Sequence, residues 1–221
     1  GGQDWSLAVR ANGHVLERCE SEAREFISRV AEGPLPKAVA FSGGKDSLAT
    51  LLLVRKVLQD FSVIFVDTDV EFPETLEYVE RIAARLSLRL LRGFSGGNFW
   101  RGLEYFGPPG RDYRWCCKVS KMGPTARVIK EHFPGGCVNF VGQRRYESEV
   151  RAKSGRVWRN PWLPNQLAAS PIQDWTALHI WLYLMRERVE VNSLYARGME
   201  RIGCWACPAS DLTELEILKG T

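Results

Sequence analysis

Apolar positions along this chain follow two rhythms. Residues 14–31 carry Val15, Leu16, Phe26, Ile27 and Val30 on a helical repeat, and Gly33-Pro34 closes that stretch. Short apolar runs follow at 37–41, 62–66, 88–91 and 137–141. Their length and β-branched content suit strands buried on both faces. Helical patterns at 48–58, 74–87, 98–105 and 119–132 lie between them, the last with a break predicted at Gly123-Pro124. Residues 157–162 read as a fifth strand and 176–186 as a helix rich in aromatics. Strand alternating with helix predicts an α/β fold, Rossmann-like, with a parallel sheet covered by helices on both faces. Ligands of such sheets sit at the carboxyl ends of the strands. The pattern divides the chain into an N-terminal helical extension, residues 1–35, and a main domain, residues 36–221.

The first strand runs into Ser42-Gly43-Gly44-Lys45-Asp46-Ser47, and a helix begins there. A Gly-rich turn at a helix N-terminus offers free N–H groups and the positive end of the helix dipole to an anion. Gly43 and Gly44 let backbone approach a phosphate closely, Ser42 and Ser47 add hydroxyls, and Lys45 adds charge. Neither the Walker spacing nor the dinucleotide Gly-x-Gly-x2-Gly spacing fits.

The six residues resemble the PP-loop of the ATP pyrophosphatases and adenine nucleotide alpha hydrolases. The resemblance implies that the loop grips the pyrophosphate of ATP with Mg²⁺, and that Lys45 and Asp46 take part in catalysis. Asp67-Thr68-Asp69-Val70-Glu71-Phe72-Pro73-Glu74-Thr75 is similar to the related motif Asp-Thr-Gly-x2-Phe-Pro-Glu-Thr, with Asp69 where glycine is usual. It implies that Asp67 and Thr68 lie beside the nucleotide. Gly142-x-Arg144-x2-Glu147-Ser148-x2-Arg151 fits another motif, in which Gly142, Arg144 and Arg151 would meet phosphate or sulfate oxygens. Trp175, Trp181 and Tyr183 read as core.

Four of the six cysteines form two pairs, Cys116-Cys117 and Cys204-x2-Cys207, separated by 86 residues. Four thiolates brought together suit zinc or an iron–sulfur cluster. The run Cys116-Cys117-x3-Lys121-x2-Pro124 resembles the [4Fe-4S] signature of assimilatory sulfonucleotide reductases. That resemblance places Lys121 between cluster and nucleotide, with zinc the alternative metal. Cys137 lies in an apolar strand and Cys19 on a helix, both read as structural.

Composition narrows the picture little. The 221 residues carry a net charge of +4, which suits an anionic nucleotide and permits RNA. Arg144, Arg145, Arg151, Lys153, Arg156 and Arg159 form the densest basic stretch, open between solvated surface and function. No apolar run approaches the ~20 residues of a membrane span, and no signal peptide is recognisable, so the cytoplasm is the expected compartment. The Gly1-Gly2 start and the helical run at 211–219 read as a piece cut from a longer protein.

Two chemistries follow from the resemblance. An adenylating enzyme would split ATP into AMP and pyrophosphate and activate an acceptor for sulfur transfer. A sulfonucleotide reductase would bind adenylylsulfate or its 3′-phosphate (PAPS) and release sulfite. The intact loop favours the first. The cysteine pattern favours the second, although no cysteine follows Cys207 to act as nucleophile. Expected partners are an adenine nucleotide and a sulfur-donor or reductant protein, with a tRNA base among the acceptors. A non-catalytic, zinc-stabilised nucleotide- or RNA-binding module is a third reading. For either enzyme, Gly43→Asp is expected to abolish nucleotide binding and leave the cluster colour intact.

Overall fold

A computed structural model describes residues 5–147 and 149–210. The helical run expected at 211–219, and Ser148 of the arginine motif, lie outside the described residues. Two helices open the chain, α1 (Ser6–Ala11) and α2 (Gly13–Ala31). Then come β1 (Lys37–Ala40), α3 (Lys45–Val57), β2 (Ser62–Asp67), α4 (Pro73–Arg85), β3 (Arg89–Phe94) and α5 (Asn98–Phe106). A wide π-helical turn (Cys117–Met122) leads into α6 (Gly123–His132) and β4 (Cys137–Phe140). The short α7 (Glu149–Lys153), β5 (Val157–Asn160), β6 (Leu163–Ala169) and α8 (Ala177–Arg186) follow, and a 3₁₀ turn (Ser193–Arg197) leads toward the last cysteines.

The six strands form one sheet in the order β3-β2-β1-β4-β6-β5. All neighbours are parallel except β5 and β6, which are antiparallel. The expected Rossmann-like parallel sheet is therefore present with an antiparallel edge. Strand β6 escapes the sequence pattern because its segment, Leu-Pro-Asn-Gln-Leu-Ala-Ala, has no β-branched residue and buries Gln166. The Gln166 carboxamide oxygen accepts a 2.8 Å hydrogen bond from Asn139 Nδ2 on β4, so an amide pair occupies a place where apolar side chains are expected. Pro164 stands ahead of the stretch paired with β4, where no N–H is required of it.

Alternate residues of the strands face opposite layers. Val39, Val63, Phe65, Val138 and Phe140 pack with α2, α3, α4 and α8. Ala38, Ile64, Leu91 and Cys137 meet Val128, Ile129 and Phe133 of the α6 segment. Cys137 is fully buried, as its apolar strand implies, and Cys19 packs half-buried against the larger cluster. Helix α2 contributes Leu16, Ala23, Phe26 and Ile27 to that same cluster. The interruption expected near Gly123-Pro124 takes the form of a change of helical type: the π turn ends at Met122 and α6 begins at Gly123, with Pro124 in its first turn. Thr176 caps α8 reciprocally with His179, which gives that histidine its role. No helix among the described residues is long and apolar enough to cross a membrane.

This strand order positions the site. The chain leaves β1 toward β2 and β3 on one side, then returns to place β4 on β1's other side. The connections after β1 and β4 thus part at the carboxyl end of the sheet, and a crevice opens between them.

Candidate functional site

The 42–47 loop crosses from β1 to α3 at this crevice. Gly43 has φ +78°, and a Cβ there would stand 2.9 Å from Thr75 Cγ2. Gly142, just after β4, packs against the first turn of α3. A Cβ on it would lie 2.6 Å from both the Asp46 carbonyl carbon and the Ser47 nitrogen. Gly43 is thus required by its positive φ and the Thr75 side chain, and Gly142 by close approach of backbone. Ser47 Oγ donates to the Gly44 carbonyl at 2.9 Å and accepts from the Ser42 N–H at 3.2 Å, which fixes the curl of the loop.

The crevice is a cavity of about 620 Å³. Its lining includes Ser42, Lys45 and Ser47 of the loop, Gly142 and Arg144 after β4, and Lys121 of the π turn. Arg151 and Glu147 complete the β4 side, joined at 2.5 Å. Asp67 and Thr68 lie outside that lining. The Asp67 carboxylate accepts from the Asp69 N–H at 2.9 Å, and Thr68 turns to the cysteines.

Charges within the cavity are satisfied internally. Arg144, only 8% exposed, donates from Nε to the Asp46 carboxylate, which also lies 3.5 Å from Lys45 Nζ. Asp46 thus serves two cations, Arg144 through Oδ1 and Lys45 through Oδ2. Lys45 Nζ donates to the Glu200 carbonyl at 2.9 Å. The Lys45 backbone N–H, at the mouth of α3, donates to the Tyr195 hydroxyl at 2.7 Å. Burial pushes the Tyr195 pKa up, and the Lys45 N–H bond opposes it, so the phenol stays neutral. Trp181 holds the Tyr195 ring edge-on at 4.9 Å and itself lines the cavity, so it is not simply core. Trp175 and Tyr183 are core as expected. The pairing of Tyr195 and Glu200 with Lys45 carried no signal in the sequence, because they lie 150 and 155 residues away. The basic stretch is divided up in a similar way: Arg145 pairs with Asp174 at 2.5 Å, and Arg156 pairs with Glu22.

The cysteine pairs meet on the far side of Lys121. Cys116 and Cys204 pack in one small cluster with Val70, Phe99 and Trp115. Cys116 interacts electrostatically with Cys117 and Cys207, and Cys204 with Cys207 and Lys121. All four thiols are free. Burial, then the neighbouring Cys117, pushes the Cys116 thiol up to about 11. Burial, then Glu71, pushes Cys204 up to about 12, against the Thr68 hydroxyl and Lys121. The Thr68 hydroxyl lies 3.2 Å from Cys204 Sγ and bonds Glu71 at 2.9 Å. Burial raises the Glu71 carboxyl too, with Lys121 and Thr68 opposing. Among the described residues no three metal-donor side chains converge into a closed ligand set. The donor type on this face is thiol, a ligand class that zinc and iron–sulfur clusters share. Metal binding there would release thiol protons.

Asp69 resolves a departure in the sequence. Its φ is +71°, the left-handed region that glycine adopts freely and aspartate tolerates. Its two carboxylate oxygens accept from Gly97 N–H at 3.0 Å and Phe99 N–H at 3.1 Å, capping α5 from outside. Burial would raise its pKa, but these N–H groups outweigh burial and hold it below the usual range.

Comparison with known proteins agrees with this arrangement. The phosphoadenosine phosphosulfate reductase domain matches residues 36–210, and the chain belongs to that family. It is 43% identical over 217 residues to an uncharacterized protein of Methanocaldococcus jannaschii, covering 97% of this chain and 45% of the relative. A second protein of that organism is 37% identical, with 91% and 49% covered. The chain therefore spans about half the length of these two relatives. An adenosine 5′-phosphosulfate reductase of Anoxybacillus flavithermus is 26% identical, with 82% of this chain and 76% of that protein covered. Among solved structures, phosphoadenylyl-sulfate reductase from Candida auris superposes with TM-score 0.65 at 20% identity, covering 87% and 95% of the two chains. Candida glabrata FMN adenylyltransferase with ATP gives 0.67 at 18% identity, covering 86% and 62%. At these identities the likeness concerns fold.

Two outcomes follow from this geometry. Gly142→Ala must push the β4 connection off the first turn of α3, because its neighbours there are backbone. We expect it to cost about 1–3 kcal/mol in urea unfolding and to weaken nucleotide binding, while Gly155→Ala, whose Cβ would meet the Val157 carbonyl oxygen at an ordinary 3.5 Å, does neither. For Asp69, a depressed folded pKa means its stabilisation is full above the ordinary aspartate value and fades as pH falls through the folded value. Asp69→Asn leaves one of the two N–H groups without its acceptor and should cost about 1 kcal/mol near neutral pH, and the gap from the parent should narrow as unfolding is measured at decreasing pH.

Proposed function

We propose that this chain is the catalytic core of an enzyme that cleaves ATP between its α and β phosphates and adenylates an acceptor for sulfur transfer. The observation that carries this reading is the intact 42–47 loop, curled by Ser47 at the N-terminus of α3 and facing a cavity large enough for a nucleotide.

In the proposed reaction an acceptor oxygen attacks the α-phosphorus. A new O–P bond forms as the bond to the bridging oxygen breaks, and the electron pair leaves on pyrophosphate. The negative charge that develops there meets the loop N–H groups, the Ser42 and Ser47 hydroxyls and the Lys45 ammonium, donors fixed before the reaction begins. Tyr195 must yield the Lys45 N–H to a phosphate oxygen, and Lys45 Nζ must leave the Glu200 carbonyl. Arg144, held by Asp46, and Arg151, held by Glu147, serve the α-phosphate side. A sulfur nucleophile then takes the activated centre, and AMP departs with the C–O electron pair. Mg²⁺ carried on the phosphates would screen their charge. A [4Fe-4S] cluster on Cys116, Cys117, Cys204 and Cys207, with zinc as the alternative, would place a metal–thiolate centre beside Lys121, which reaches both halves of the site. The sulfur donor is a protein or small carrier, and a tRNA base is among the acceptors.

A second reading is sulfonucleotide reduction, with adenylylsulfate or PAPS in the cavity. It is favoured by the 26% identity to an adenosine 5′-phosphosulfate reductase over most of the chain and by Lys121 standing between cavity and thiols. Either way, Gly43→Asp is an unsuitable probe. Its side chain would collide with Thr75 in a backbone conformation that strains any L residue, so loop damage and lost contacts would coincide. Lys45→Gln is cleaner. We expect it to weaken ATP binding by about ten- to a hundredfold in calorimetry, the usual worth of a charge-assisted hydrogen bond. In the same anaerobic assay the parent should release pyrophosphate and AMP. Sulfite from adenylylsulfate or PAPS, with ATP inert, would replace the adenylating reading with the second one. No turnover of any of these nucleotides would support a binding module.

A further inference from the structure

Six aromatic rings form a continuous row across the face that carries the cysteine pairs. Tyr105 packs on Phe106 with centroids 5.0 Å apart, Phe106 on Trp115 at 5.6 Å, and Trp115 on Phe99 at 5.7 Å. Phe99 meets Trp100 at 5.2 Å, and Trp100 meets Trp205, between the last two cysteines, at 6.3 Å. Phe99 and Trp115 are buried and anchor the row. Trp100, Tyr105, Phe106 and Trp205 are exposed, Tyr105 by 84%. Single exposed apolar residues are ordinary on any protein, but a contiguous row marks an interaction surface.

Exposed positive charge alternates with these rings along the same stretch of chain. Between residues 98 and 122 the chain carries Arg101, Arg111, Arg114, Lys118 and Lys121 against only Glu104 and Asp112. All five cations are exposed. The Lys118 ammonium lies 4.8 Å from the centre of the exposed Trp162 ring, extending the face beyond the cysteines. Flat π faces alternating with cations match a partner that alternates flat bases with phosphates. An apolar protein patch would leave the cations unmatched, and duplex nucleic acid would leave the rings unstacked. Unpaired bases are displayed chiefly by loops and ends of RNA.

We propose that the face built from α5, the 111–118 segment and the 204–207 turn binds single-stranded RNA. Bases stack on Trp100, Trp205 and Tyr105, and phosphates meet Arg114 and Lys118. This binding does not depend on which bond the cavity breaks, so either reading can fail while the other stands.

The test is fluorescence anisotropy with a labelled, unstructured RNA of about 12 nucleotides, titrated between about 50 and 200 mM salt. Trp100→Ala and Trp205→Ala should each weaken binding by about five- to a hundredfold. Arg114→Ala should flatten the log–log salt slope by about 0.7. Trp5→Ala, an exposed tryptophan on the remote N-terminal segment, should change nothing. Duplex RNA and DNA of the same sequence should bind more weakly, and circular dichroism melts should show each variant folded. Absence of salt-dependent binding, indifference to loss of the rings, or equal affinity for duplex or DNA would overturn the proposal. So would self-association in sedimentation that Trp100→Ala abolishes, since the face would then belong to a second copy of the chain.

Discussion

The structure depends on one close approach, that of Gly142 to the backbone of Asp46 and Ser47. The strand order separates the connections after β1 and β4, and this contact brings them back together at the mouth of α3. Any side chain at 142 would hold them apart. The contact also sets the reach of the groups that follow. Arg144, two residues beyond Gly142, can bond Asp46 because the backbone at 142 lies against the helix. Loop, cavity and arginine side thus share a single packing constraint, set by one glycine.

The second organising feature is the segment from Tyr195 to Cys207. It begins by occupying the Lys45 N–H with the Tyr195 hydroxyl, continues by holding Lys45 Nζ at Glu200, and ends in two cysteines. The Trp205 N–H bonds the Val70 carbonyl at 2.9 Å and ties the end of the segment to the turn after β2. The first part of this segment occupies the donors of Lys45, and the last part carries the thiols. The 42–47 loop and the cysteines are therefore joined through a few residues of covalent chain, not only through the fold. Lys121 adds an electrostatic link across the same gap, since it lines the cavity and acts on both Cys204 and Glu71.

Much of this was legible in the sequence because it depends on local signals. Parallel strands announce themselves as apolar runs, and the loop announces itself by two glycines between a strand and a helix. Strand β6 was hidden because its burial is purchased with an Asn139–Gln166 amide pair instead of apolar side chains. The interruption expected at Gly123-Pro124 appears as a switch from the π turn to α6, since proline supplies no N–H to continue the preceding ladder. Asp69 looked like a flaw in a glycine position and proved to be an external cap for α5, information held 28 and 30 residues away. The partners of the candidate site residues were the least legible. Asp46 could be chosen as a functional acid, but its engagement by Arg144 lies 98 residues off, and that of Lys45 by Tyr195 lies 150 off. Pairings at such separations leave no periodic trace.

The most direct test of the account is a crystal structure of the protein with α,β-methylene-ATP, whose α–β link cannot be cleaved. The account predicts the β and γ phosphates seated on the 42–47 loop, with Tyr195 displaced from the Lys45 N–H and the α-phosphate toward Arg144. Phosphates bound elsewhere, or a base occupying the loop while Tyr195 keeps its hydrogen bond, would contradict it.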